Sequence, residues 1–228
     1  MNIFELNMNG GSMVPNHFCW TRFGTEAGEG IGTILARKER ERLATNGMFL
    51  WGIGNSVGPA IRELVLLEKR PMVLFSPMRS KPKTIDVAPS GILQWTYAQG
   101  LDGSEWPIPD GINVTSRQGS EGGRDKRSHF ALVCKSSAPI VPLNAESLVY
   151  EQLVNLRSKN KLGASQVTAV VQRVETELTT STHYPVAFSA ELVYPYFVRL
   201  ERPVNPSAQL PRSRGIAASG YQPSLLAA

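Results

Sequence analysis

The chain has 228 residues, 42% of them hydrophobic, and its 24 Lys and Arg against 19 Asp and Glu give a formal charge of +5. That composition excludes wholesale disorder, and no apolar run approaches the roughly 18–20 residues of a membrane-spanning helix. Two isolated cysteines, Cys19 and Cys134, are too few for a disulfide framework or a structural zinc site.

Residues 1–16 read as a loose leader; without a basic start and a continuous apolar stretch they do not read as a signal peptide. His17 to Phe23 is aromatic and roughly alternating, which predicts a strand. The acidic, glycine-rich turn Thr25 to Gly30 leads into good helix formers from Ile31 to Ala44, with Ile31, Ile34 and Leu35 on one face, and Asn46-Gly47 stops that helix. Met48 to Ile53 is apolar enough to be a strand buried on both faces. It opens into Gly54-Asn55-Ser56-Val57-Gly58, and Pro59 suits the first turn of a helix from Ala60 to Leu67.

Met72 to Ser76 predicts a third strand, followed by the basic loop Met78 to Lys83; Ile92 to Tyr97 predicts a fourth, with a turn at Leu101 to Ser104. Ile112 to Arg117 and His129 to Cys134 read as two arms of a hairpin. Residues 144–157 read as a helix, on Leu148, Leu153 and Leu156. Gln166 to Gln172 is rich in strand formers, and Tyr184 to Ser189 and Glu191 to Leu200 give two closing strands. From Pro203 the composition shifts to Pro, Ser, Ala and Arg, a flexible tail. Many strands and two to three helices indicate an α+β fold: a curled, mainly antiparallel sheet or small β-barrel in one domain over residues 17–202.

The chemistry-bearing residues are sparse. His17, His129 and His183 have no metal-ligand spacing, and the P-loop, deaminase and nucleophile-elbow patterns are all missing. No metal and no cofactor are therefore expected. His129 and Cys134 are five positions apart, which puts them on opposite faces of one strand and makes Cys134 a buried structural thiol. Glu26, Glu29 and Asp86 are the carboxylates that an acid–base enzyme would use. Cysteine usage fits a reducing, cytoplasmic setting, and no membrane partner is expected.

Positive charge is more informative. From Lys69 to Lys83 the chain carries Lys69, Arg70, Arg79, Lys81 and Lys83 with no acidic residue among them. Arg117, Arg124, Lys126 and Arg127 form a second cluster. Basic loops of this kind suit phosphate contacts, so Arg79, Lys81, Lys83 and Arg117 are the candidate phosphate-binding residues. Trp20 and Trp51 each run into a polar loop, carrying Arg22 and Asn55-Ser56 respectively. Apolar walls with a few convergent polar groups suit a flat heteroaromatic ring.

Pro142-Leu143-Asn144, then Leu153 to Arg157, then Gly163-Ala164-Ser165-Gln166-Val167-Thr168 resembles the closing segment of EVE domains, in the PUA-like superfamily with YTH and ASCH domains. The order of the first half, Phe18 to Phe23, the Ala36-Arg37 helix and Phe49 to Ser56, is also similar. Gly24 to Gly32 lacks the family's Trp-Xaa-Gly-Val-Arg run, and Pro59 to Arg70 is an added helix. The resemblance implies a reader of nucleic acid, RNA or DNA, that captures a flipped or modified base without catalysis. Its base pocket would comprise Trp20, Arg22, Trp51, Asn55, Ser56, Ser165 and Gln166, with Trp20 and Trp51 on neighbouring strands. Two other readings stand beside it: a hydrolase or glycosylase using Glu26 or Asp86, and a non-catalytic protein-interaction subunit.

Overall fold

The computed structural model describes residues 15–24, 30–78, 92–112, 115–117, 129–141, 146–177 and 180–204. In chain order the elements are β1 (His17–Phe23), α1 (Ile31–Ala44), β2 (Met48–Ile53), α2 (Gly58–Leu67), β3 (Met72–Pro77), β4 (Ile92–Gly100), β5 (Glu105–Trp106) and β6 (Thr115–Arg117). Then come β7 (His129–Lys135), β8 (Glu146–Val149), β9 (Leu153–Asn155), β10 (Thr168–Arg173), β11 (His183–Val186) and β12 (Phe188–Val204). A 3-10 turn at Asn55–Val57 precedes α2, and a second at Tyr150–Gln152 joins β8 to β9.

Ten strands form one sheet in the order β2-β7-β12-β3-β1-β10-β9, with β4 on the far half of β12 and β5 and β6 on β4; β8 and β11 form a separate pair. All pairings are antiparallel except β1 with β3. That one parallel pair follows from the route of the chain. After β1 it crosses through α1, β2 and α2 before β3 returns beside β1, so both strands end at the same edge. The 17-residue β12 holds the sheet together: its first half lies between β3 and β7 and its second between β7 and β4.

Alternation along each strand sorts the core. Cys19 and Phe23 of β1, Phe49 and Trp51 of β2, and Val73 and Phe75 of β3 face the helices, where Ile34, Leu35, Ile61 and Leu64 cover them. Phe18, Trp20, Leu74, Ala169 and Val171 face the other way, under Leu148 and Val186 of the β8–β11 pair. Leu50, Ala131, Val133, Val198 and Leu200 make a third cluster with Trp95 and Ile112. β2 is therefore apolar on both faces because both faces are covered. The sheet curls strongly: three strands lie between β2 and β1, yet Trp51 meets Phe23 edge-on at 5.7 Å. Truncating such a buried ring costs about 3–5 kcal/mol.

Two α-helices among the described residues fall within the two to three expected, and three expectations change. Of the curled sheet and the small barrel, the barrel is the one not found: the sheet does not close among the described residues. Residues 146–155 are strand, 3-10 turn and strand rather than helix, because Leu148 pairs with Tyr184 and Val154 with Gln172. Leu148, Leu153 and Leu156 are buried, but their spacing of five and three is not a helical stripe. Finally, β6 and β7 do not form a hairpin: β6 pairs with β4, and β7 sits between β2 and β12. Leu132, Cys134, Ala131 and Val133 are all buried, which suits a central strand. Residues 205–228, most of the expected tail, lie outside the described set, as does the leader up to residue 14.

Candidate functional site

Trp20 and Arg22 are two apart on β1 and so share a face. Trp20 is fully buried, and its Nε1 donates to Ser76 Oγ of β3 at 2.9 Å. Tyr184 packs edge-on against it at 5.3 Å and Tyr150 tilts against it at 6.1 Å. Tyr150 Oη donates to Leu162 O at 2.7 Å, and burial pushes its phenol above the ordinary tyrosine value. The Arg22 guanidinium lies over Tyr184 at 4.9 Å and over Trp20 at 5.8 Å. Its Nη1 donates to Ala164 O at 3.0 Å, and its backbone N–H donates to Val167 O at 2.7 Å. Its Nε is buried and has no acceptor among the described residues.

This arrangement brings Arg22 to the loop that carries Ser165 and Gln166. Ser165 is exposed, and Gln166 turns back on the backbone, with Nε2 donating to Thr168 O at 3.3 Å. The same edge receives β3: the N–H of Met78 donates to Phe23 O at 2.7 Å. Arg79, Lys81 and Lys83 lie outside the described residues. So do Glu26, Glu29 and Asp86. Arg117 falls in β6, opposite Ile92, with its side chain outside the described set.

Trp51 is not part of this cluster. Three strands separate β2 from β1, correcting the expectation that they are neighbours. Trp51 faces the helix-covered core, where it meets Phe75 at 4.7 Å and Phe188 at 6.0 Å. Trp20 faces the opposite side. With protein rings packed on both tryptophans, neither offers a free face for stacking. Asn55 and Ser56 lie in the turn after β2, which comes up against β10; Ser56 is exposed, and the side chain of Asn55 is outside the described set.

The sequence reading missed Tyr184 as the partner of Arg22, and Tyr150 and Ser76 as the partners of Trp20. The i+2 relation of Trp20 to Arg22 was the available signal for a shared face. Tyr184 became a partner only through the β8–β11 pair, which the helical reading of residues 144–157 concealed. Among the described residues no three His, Cys, Asp or Glu side chains are grouped to hold a metal, and no helix is long and apolar enough to cross a membrane. Cys134 is fully buried and burial raises its thiol pKa, the reverse of what a nucleophile requires. No family model, curated protein or solved structure matches the chain.

Proposed function

We propose that this chain binds nucleic acid, with Arg22 contacting the phosphate backbone at the edge where β1 and β3 end. The observation that carries the reading is the state of the Arg22 side chain. It is stacked on Tyr184, tied by Nη1 to Ala164 O, and left with a buried Nε that no acceptor among the described residues satisfies. A buried donor without a partner costs about 1–3 kcal/mol, and more when the group is charged. A phosphate oxygen is the acceptor that a planar guanidinium suits best. The net charge of +5 favours a polyanion. Trp20 contributes by fixing Arg22 rather than by stacking on a base.

The test is binding of short single-stranded RNA and DNA at several salt concentrations by the parent chain and by Arg22→Ala. Counterion release makes affinity fall linearly with salt on logarithmic axes, and losing one phosphate contact lowers the slope by about one. Salt-independent binding, or no binding at low salt, overturns the reading. An unchanged slope in Arg22→Ala moves the contact elsewhere.

A further inference from the structure

β12 breaks its pairing with β7 between Leu192 and Phe197, and at the break Tyr194 turns to solvent while Tyr196 packs against the core. Tyr194 is 60% exposed, and its ring stands nearly perpendicular to that of Tyr196, at 86° with centroids 6.1 Å apart. Tyr196 has φ of 65°, a left-handed conformation that is costly for a bulky side chain. Such strain persists only where the surroundings hold it, and it concentrates at ligand sites. The corner faces α2 across a groove of about 450 Å³, walled by Leu66, Leu101 and Arg62. Leu66 is 87% exposed, so the groove presents apolar surface to solvent.

Tyr194 does not swing freely. Its Oη donates to Asp102 Oδ2 at 3.0 Å and lies 3.2 Å from Ser104 Oγ. Asp102 Oδ1 accepts from the N–H of Ser104 at 3.0 Å and from its Oγ at 2.6 Å. A carboxylate offers about four acceptor positions, and these three bonds leave one, on Oδ2 beside the tyrosine ring. Arg62 donates to Leu101 O, which holds its guanidinium along the same rim.

We propose that this corner is a second binding site, for a nucleobase that carries an exocyclic amino group, at the end of the sheet opposite Arg22. The base stacks on the exposed face of Tyr194 with Leu66 against its other side. Its amino group donates to Asp102 Oδ2, as cytosine N4 or adenine N6 can and thymine cannot. Arg62 meets the neighbouring phosphate and offsets the charge of Asp102. The rings fit this role where Trp20 and Trp51 do not, because Tyr194 keeps a face open to solvent and is already oriented. The assignment rests on the nucleic-acid reading above for the strand, but not for the ring itself.

The test compares short oligodeoxycytidine, oligothymidine and an abasic strand of equal charge on the full chain and on Tyr194→Leu, which keeps apolar bulk and loses the ring. The expected result is tighter binding of oligodeoxycytidine than of the abasic strand by about fivefold or more, with oligothymidine between them. That advantage disappears in Tyr194→Leu. Leu66→Glu, at an exposed side chain on which folding does not depend, is the second variant and lowers the same preference. Equal affinity of the parent for all three strands overturns the base site and leaves the Arg22 contact standing. If no strand binds, the nucleic-acid reading has failed, and cytidine titrated alone against backbone amide resonances decides the groove. Shifts at Leu66, Asp102 and Tyr194 uphold the base site. No shifts, or shifts produced by a dileucine peptide in place of cytidine, overturn it.

Discussion

The guanidinium of Arg22 rests 4.9 Å from the centre of the Tyr184 ring, on the strand pair β8–β11 that covers the outer face of the sheet. Cation–π contacts contribute about 0.5–1 kcal/mol at exposed sites and about 2 kcal/mol where water is excluded. Tyr184 also packs edge-on against Trp20, which adds about 0.5–1.5 kcal/mol beyond its buried area. Tyr184→Leu should therefore lower unfolding free energy by about 1–3 kcal/mol in urea titration. It should also weaken nucleic-acid binding, because Arg22 loses its platform. Unchanged stability with unchanged binding would show that the stack holds nothing in place.

Cys19 and Cys134 are both buried as free thiols. Burial pushes the Cys19 thiol up to about 12, and burial followed by the neighbouring Cys19 raises Cys134. The thiolate is the reactive species, so at pH 8 almost none is present at either site. Titration with a chromogenic disulfide reagent should find no fast-reacting thiol in the native chain and two in denaturant. One fast thiol under native conditions would overturn the burial argument and reopen a nucleophilic role.

Lys38 and Glu41 form a buried ion pair on α1, with Nζ at 2.9 and 2.8 Å from the two carboxylate oxygens. Glu41 Oε2 also accepts from the N–H of Leu50 at 3.4 Å, so the pair joins the helix to β2. Lys38→Met leaves the buried carboxylate with Arg37, at 3.8 Å, as its remaining cation and should cost up to about 3–5 kcal/mol. Burial lowers the Lys38 pKa from 10.5, with Glu41 opposing. A depressed folded value means that the unfolded chain binds the extra proton. The contribution of this group to stability is therefore complete above the ordinary lysine value and is lost as pH falls through the lowered one. The gap between the parent and Lys38→Met should widen as pH rises towards 10.5. A constant gap would assign the cost of the substitution to packing alone.

How much was legible depended on where the determinants lie. α1 and β2 were readable to the residue because their signals are local. Gly47, with φ of 95°, ends α1, and β2 reads as apolar because helices cover one face and the third cluster the other. Residues 146–155 were not readable, because what makes them strands is Tyr184 and Gln172, remote in sequence. The hairpin reading failed for the same reason: the partners of β7 are β2 and β12 on either side. At the site, Arg22 could be tied to Trp20 by spacing alone. The separation of Trp20 from Trp51 could not, because it depends on strand order and on which face each ring takes. The Tyr194 corner was invisible for a further reason: Tyr194-Pro195-Tyr196 reads as the middle of a strand, and only the break in β12 turns the Tyr194 ring outward.

Two glycines with positive φ separate backbone strain from steric conflict. Gly103, at φ of 86°, lies in the Asp102 turn, where the nearest atom to an added Cβ among the described residues, its chain neighbours aside, would be Gln99 Nε2 at 4.0 Å. Gly111, at φ of 94°, has the same backbone demand, but its Cβ would fall 2.7 Å from Cβ of Ala44 at the end of α1. An L side chain in this region costs about 1–2 kcal/mol. Gly103→Ala should lose about that much and nothing more, since its neighbourhood is open. Gly111→Ala must also push α1 from the segment that carries Ile112 into the third core cluster. Overpacking of this kind adds about 1–3 kcal/mol. Side by side in urea, Gly111→Ala should be the less stable variant by about that increment. The double variant Gly111→Ala with Ala44→Gly should recover most of the difference, less about 1 kcal/mol for glycine in the last turn of a helix. Equal loss in the two single variants would mean that α1 yields freely at its C-terminal end, and that the contact between Ala44 and Gly111 does not fix where the helix sits on the sheet.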